Sequence, residues 1–175
     1  MINESISEPV LNFIPGHSIP SQNTEIIEGI PYIPFPISLH TVDIAMFRVN
    51  NGIVEILLGK KPGQDEVQLP GGFMNPGETA EKAASRELGE ETILNVEFDF
   101  EDYHGSYFID DPRYKDTPHK ITTSLFAKFI PYIESLEAKA GDDLEEVKWF
   151  PLDSELPLKS FHKQLVDKLK TIVLF

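Results

Sequence analysis

The sequence predicts an α/β (α+β) domain in which a mixed central β-sheet is flanked by two helices. Three observations carry that expectation. Short apolar runs separated by turn signals recur from His40 to Leu152. The stretch from about Ala80 to Thr92 places Ala80, Ala83, Ala84 and Leu88 on one face at helical spacing, small enough for close packing on a sheet. A second helical pattern begins near Ser160, with Phe161, Leu165, Val166, Leu169, Ile172 and Val173 in phase.

Taken in order, residues 1–38 form a proline-rich arm ahead of a domain at 39–175. Pro9, Pro15, Pro20, Pro31, Pro34 and Pro36 forbid long helices and central strands, so the arm is expected to be irregular or edge-pairing. Ile26, Ile27, Ile30, Tyr32, Ile33 and Phe35 are too apolar for a free tail, and imply packing on the domain or on a partner chain. A strand runs to Val49, and Asn50-Asn51-Gly52 signals a hairpin turn. Ile53 to Leu58 returns as a strand apolar on both faces, hence central. Val67-Gln68-Leu69 is a short strand leading into Pro70-Gly71-Gly72. Thr79 is placed to cap the first helix. Val96 to Phe100, Ser106 to Ile109, Ile121 to Ile130 and Val147 to Leu152 read as strands, with a polar loop over 110–118 and a turn at Gly141-Asp142-Asp143.

Composition narrows the chemistry. A chain of 175 residues is most simply one domain, and 41% hydrophobic residues argue against global disorder. With no cysteine, disulfides and thiolate metal sites are excluded. Any metal is held by oxygen or imidazole, which favours Mg²⁺ or Mn²⁺. The five histidines show no metal spacing, and His104, His119 and His162 read as surface or hydrogen-bonded residues. The formal net charge of -14 argues against nucleic acid as a partner. It also means that a polyanionic ligand binds only through local cations. Neither an 18-residue apolar run nor a secretory signal is present, so a cytoplasmic protein with no membrane partner is expected.

The strongest statement about function is the run Arg86-Glu87-Leu88-Gly89-Glu90-Glu91. On a helix, Glu87, Glu90 and Glu91 stand at i, i+3 and i+4, with Cβ atoms ~5–6 Å apart on one stripe. Like charges one turn apart oppose helix formation, and near the C-terminus the helix dipole is itself negative. Such a ladder is tolerated where a cation is meant to sit, and oxygen ligands at this spacing suit a hard divalent ion. Arg86, four residues before Glu90, can hold one ligand in orientation. The Gly71-Gly72 pair lets backbone approach closely, so that a carbonyl there completes the metal shell.

Gly72, Glu78, Arg86, Glu87, Leu88, Glu90, Glu91 and Leu94 together resemble the signature of the Nudix hydrolases: a Gly, five residues, Glu, seven residues, then Arg-Glu-apolar-x-Glu-Glu-x-Gly-apolar. The strand order from about His40 onward is similar as well, which implies a Nudix-type α/β/α sandwich. The last Gly of the pattern is Ile93 here, and a β-branched residue resists the left-handed conformation that ends many helices. A longer helix turning at Asn95 is therefore expected. Leu69-Pro70-Gly71-Gly72-Phe73, Asp111-Pro112-Arg113 and Ala140-Gly141-Asp142-Asp143 before Trp149 resemble the ADP-ribose pyrophosphatases associated with nicotinamide-mononucleotide adenylyltransferases.

The resemblance implies hydrolysis of a nucleoside diphosphate linked to another group, with ADP-ribose or a related nucleotide sugar as substrate. It implies metal binding by Glu87, Glu90, Glu91 and the Gly71 carbonyl, with Arg86 among the catalytic residues. Glu87, Asp142 and Asp143 are alternative general bases. Glu78, Arg113, Tyr107 and Tyr114 are substrate-binding candidates, the aromatic rings for stacking on a base and Arg113 for a phosphate. The alternatives are a nucleotide-sensing, non-catalytic domain and a house-cleaning nucleoside triphosphate pyrophosphatase. A homodimer formed through the arm is expected.

Overall fold

The computed structural model describes residues 25–27, 30–32, 38–109, 120–130, 138–141 and 143–173. The chain divides into two compact units, residues 1–37 and 38–175. In the first, β1 (Glu25–Ile27) and β2 (Ile30–Tyr32) pair antiparallel, Glu25 opposite Tyr32. The proline positions of the arm, apart from Pro31 in β2, lie outside the described residues.

The second unit is built on β3 (Ser38–Asn50). One edge of β3 runs parallel to β8 (Lys120–Phe129), from Ser38 opposite Lys120 to Phe47 opposite Phe129. Its other edge is shared. Thr41–Asp43 pair antiparallel with β6 (Gly71–Phe73), and Phe47–Asn50 pair with β4 (Ile53–Lys60). The intervening turn has Asn51 at φ 49° and Gly52 at φ 81°, the two positive values that a type I′ hairpin requires. β4 pairs with β5 (Val67–Gln68) and β9 (Glu146–Pro151), and β7 (Tyr103–Ile109) closes the far edge on β8.

Two-residue alternation sends side chains to opposite faces of this mixed sheet. Val42, Ile44, Met46, Leu57 and Phe126 pack against Ala83, Ala84 and Leu88 of α1 (Ala80–Thr92). Ala45, Phe47, Ile56, Leu58, Leu125 and Ala127 pack against Leu165, Val166 and Leu169 of α2 (Ser160–Val173). The result is a three-layer α/β/α sandwich, with the two helices flanking a mixed sheet as the apolar periodicities predict and the layering that the family resemblance implies.

Two expectations are corrected. Val96–Asp99 is not a strand. The Phe98 N–H goes to Ser85 Oγ (3.1 Å), and the Phe98 ring meets Phe126 edge-on at 5.8 Å, so the apolar alternation marks a strap packed across α1 rather than a sheet. A single 3-10 turn (Phe100–Asp102) follows. The first helix does not run on to Asn95. Ile93 itself takes the left-handed conformation (φ 61°) and donates its N–H to the Gly89 carbonyl at 3.0 Å. The helix stops there because the 138–141 segment caps its carbonyls: Lys139 N–H reaches Thr92 O (3.0 Å) and Gly141 N–H reaches Glu91 O (2.9 Å). Gly141 has no room for a side chain, since a Cβ would stand 2.0 Å from the Glu90 carbonyl.

Candidate active site

The site is the seam between α1 and β6. Thr79 caps the helix as expected, its hydroxyl accepting the Lys82 N–H, although at 3.4 Å the bond is long. From that start, Glu87 and Glu91 fall one turn apart on the face toward Gly71 and Gly72. Gly71 N–H donates to Glu91 Oε2 at 2.9 Å. A Cβ on Gly72 would lie 2.6 Å from Glu87 Oε2, and one on Gly71 would lie 2.1 Å from the Val42 carbonyl. The glycine pair is thus required for backbone to meet two carboxylates at this distance.

Arg86 organises the acids beside it. Its Nε and Nη2 grip the two Glu78 oxygens at 2.9 Å each. Its Nη1 donates to Glu87 Oε1 (2.7 Å) and Glu90 Oε2 (2.9 Å), and Nη2 also reaches the Phe73 carbonyl (3.0 Å). All five guanidinium N–H groups are therefore engaged. The pair with Arg86 holds the Glu78 carboxyl down at about 2. Burial acts the other way on the two inner acids. Glu91 is 4% exposed, and its pKa is pushed up to about 7. Glu87 is also raised, first by burial and against the pull of Arg86.

Glu78, Arg86, Glu87, Glu90, Glu91 and Gly71 thus come together as the sequence predicts, but in two roles. Glu78, expected as a substrate contact, supports Arg86 and also accepts the Asn75 N–H at 2.9 Å. Glu90 turns to Arg86 rather than to the glycines. For that reason no three Asp, Glu, His or Cys side chains converge on one point among the described residues. Asp143 stands on the loop anchored at the end of α1, with Oδ2 3.5 Å from Lys61 Nζ. Asp142, Arg113 and Tyr114 lie outside the described residues. Tyr107 lies in a groove of about 240 Å³ between β7 and α2, shared with Phe108, Phe161 and Lys168. Its hydroxyl donates to the His104 carbonyl at 2.8 Å, and Lys168 Nζ sits 4.5 Å from its ring centre.

Sequence reasoning missed a buried polar cluster on the α2 face. Asp43, directly opposite Gly71 in the sheet, accepts the Thr123 hydroxyl at 2.6 Å, and His162 Nδ1 lies 3.4 Å from its other oxygen. Burial raises the Asp43 pKa, with His162 and Thr123 opposing. Burial also lowers that of His162, with Asp43 opposing. His162 is thus mostly enclosed rather than on the surface. The available signal was a lone carboxylate inside the apolar run Val42–Phe47.

A three-layer sandwich whose first helix presses a half-buried and a buried acid, Glu87 and Glu91, against a diglycine strand defines a Nudix-type domain. The NUDIX domain model matches residues 39–169, and the chain belongs to that family. Among its relatives, nudix hydrolase 6 of Caenorhabditis elegans is 28% identical over 144 residues, covering 75% of this chain and 54% of that protein. The mitochondrial ADP-ribose pyrophosphatase of Rattus norvegicus is 26% identical over 133 residues, covering 65% and 38%. The chain therefore spans about half or less of the length of these relatives. A crystal structure of the bifunctional NMN adenylyltransferase/ADP ribose pyrophosphatase of Francisella tularensis, complexed with AMP and a Mn ion, superposes with a TM-score of 0.56. It is 29% identical, and the match covers 80% of this chain and 43% of that one. No helix among the described residues is long and apolar enough to cross a membrane.

Proposed function

We propose that this domain hydrolyses the pyrophosphate bond of a nucleoside diphosphate linked to another group, with ADP-ribose or a related nucleotide sugar as substrate and Mg²⁺ or Mn²⁺ as cofactor. The observation that carries the reading is the Glu87–Glu91 pair, two carboxylates partly or wholly withdrawn from water and aimed at the Gly71-Gly72 backbone. Burial alone leaves such acids poorly ionised, and a cation between them restores the charged form. The donor set is oxygen throughout, so the residues fit a hard divalent ion. Glu87, Glu91 and the Gly71 carbonyl would hold it, with Glu90 joining from its place on Arg86. Such an ion supplies charge neutralisation at the diphosphate and activation of water.

The chain's own residues perform the remaining tasks. Arg86, fixed by Glu78, sets the direction of Glu87 and Glu90. A carboxylate takes the proton of the attacking water while the bridging oxygen leaves the phosphorus. Glu87 and Asp143 are candidates for that role within the described residues, and Asp142 is a third. ADP-ribose as substrate is supported by the rat and Francisella relatives, and the Mn ion of the latter supports the cofactor class. The complete Arg-Glu-x-x-Glu-Glu set favours hydrolysis over nucleotide sensing. A homodimer assembled through the arm, in the cytoplasm, belongs to the same reading. Removal of residues 1–35 should then give a monomer by light scattering, and an unchanged mass rejects the arm as the interface.

The deciding experiment is a panel of nucleoside diphosphate derivatives and nucleoside triphosphates assayed with Mg²⁺, Mn²⁺ or EDTA. Release of AMP and ribose 5-phosphate from ADP-ribose, abolished by EDTA, is the expected result. Absence of metal-dependent turnover on every compound rejects the proposal.

A further inference from the structure

A diphosphate approaching a chain of net charge -14 binds through local cations, and a basic side chain at the site would add to the charge that a divalent ion supplies. Arg86 is not that side chain, because its five N–H groups are already consumed by Glu78, Glu87, Glu90 and the Phe73 carbonyl. Lys61, immediately after β4, is differently placed. Glu145 N–H donates to the carbonyl of the adjoining Lys60 at 2.8 Å, and Gly141 N–H to the Glu91 carbonyl in the C-terminal turn of α1 at 2.9 Å. The Lys61 ammonium pairs with Asp143, two residues on from the Gly141 that is bonded to Glu91.

Its ion-pair partner, Asp143, holds it loosely. Lys61 Nζ lies 3.5 Å from an oxygen of Asp143, whose side chain is 72% exposed. Exposed pairs of that kind contribute little to stability. A loosely held ammonium with three donors on a flexible stem can exchange such a partner for a phosphate oxygen.

On this geometry we propose that Lys61 is the protein's phosphate-binding cation, its ammonium parting from Asp143 and donating to non-bridging oxygens of the diphosphate. The inference rests on the diphosphate-hydrolase reading above. It is tested in the full chain with Lys61→Gln and Lys61→Arg, using α,β-methylene ADP with Mg²⁺ as the calorimetric probe and ADP-ribose as the kinetic substrate.

Lys61→Gln should weaken binding of the probe about tenfold or more, as expected for loss of a charge-assisted hydrogen bond. Most of its kinetic loss should appear in KM rather than in kcat, Lys61→Arg should recover most of the affinity, and Tm should hold. A purely structural role moves Tm and leaves the Arg variant no better than Gln. Unweakened probe binding by Lys61→Gln, in a protein whose unsubstituted form turns over ADP-ribose, overturns the Lys61 assignment and leaves the hydrolase reading intact. An unsubstituted protein that neither binds the probe nor cleaves any nucleoside diphosphate removes both.

Discussion

Arg86 and Glu78 form a two-pronged pair, Nε and Nη2 each 2.9 Å from a separate carboxylate oxygen. Glu78 lies just before the first helix and Arg86 in its middle, so the pair folds the glycine-rich approach back along α1. The fork geometry is what leaves Nη1 free to bridge Glu87 and Glu90. An ammonium cannot reproduce five fixed donors. Arg86→Lys should therefore lower kcat by about 10–100-fold, the range for groups that orient metal ligands, while the fold survives. Steady-state kinetics with circular dichroism checks this, and wild-type kcat in the Lys variant refutes the positioning role.

The two glycines should separate when substituted. Gly72→Ala pushes a methyl group against the end of the Glu87 side chain, 2.6 Å away, so the carboxylate must leave Arg86. Activity should fall steeply while Tm changes little. Gly71→Ala strikes the Val42 backbone at 2.1 Å from a conformation with φ 153°, so Tm should fall along with activity. Paired thermal melts and assays test the contrast; equal Tm losses in both variants contradict it.

Ile93 is a β-branched residue at φ 61° with its side chain 61% exposed. The left-handed conformation costs roughly 1–2 kcal/mol for such a residue, and glycine returns part of that gain as extra freedom in the unfolded chain. Ile93→Gly should raise Tm by about 2–4 °C at this chain length, with kcat unchanged. A lower Tm by calorimetry contradicts the strain argument.

Much of this was legible in the sequence because it rests on local chemistry. The Asn51-Gly52 turn, the Thr79 cap and the Ala80–Thr92 helix follow from residue preferences that act over a few positions. The Arg86–Glu91 stripe follows from helical spacing alone. What escaped depended on contacts distant in sequence. Ile93 could be forced into the left-handed region because Lys139 and Gly141, nearly fifty positions later, cap the helix end. Val96–Asp99 alternates like a strand but finds Ser85 and Phe126 instead of a ladder. Asp43, Thr123 and His162 come from three separate elements, and no local pattern joins them. Sequence spacing also cannot say which acids the arginine will take, and the fork closes on Glu78, eight positions earlier.

Metal-free protein should lose stability as pH rises. The Glu91 carboxyl ionises at about 7 in the folded protein against 4.5 in the unfolded chain. Between those values the folded state binds the extra proton, so its stabilisation is complete below pH 4.5 and is lost as pH rises through 7. At about 1.4 kcal/mol per pKa unit the loss is on the order of 3 kcal/mol, and the raised Glu87 adds to it with the same sign. Denaturation in EDTA at pH 4.5 and pH 8 should show the decline, Glu91→Gln should flatten it, and Mg²⁺ should offset it at pH 8. A slope identical in the Gln variant contradicts this assignment of the buried charge.

The central claim is that Glu91, buried against Gly71, serves metal-dependent catalysis rather than folding. Its most direct test is kcat for ADP-ribose hydrolysis by Glu91→Gln at saturating Mg²⁺, in protein whose Tm matches or exceeds that of the parent. The account predicts a fall of about a thousandfold or more, equivalent to roughly 4 kcal/mol of barrier. Turnover within about threefold of the parent, on the same rate scale, contradicts it.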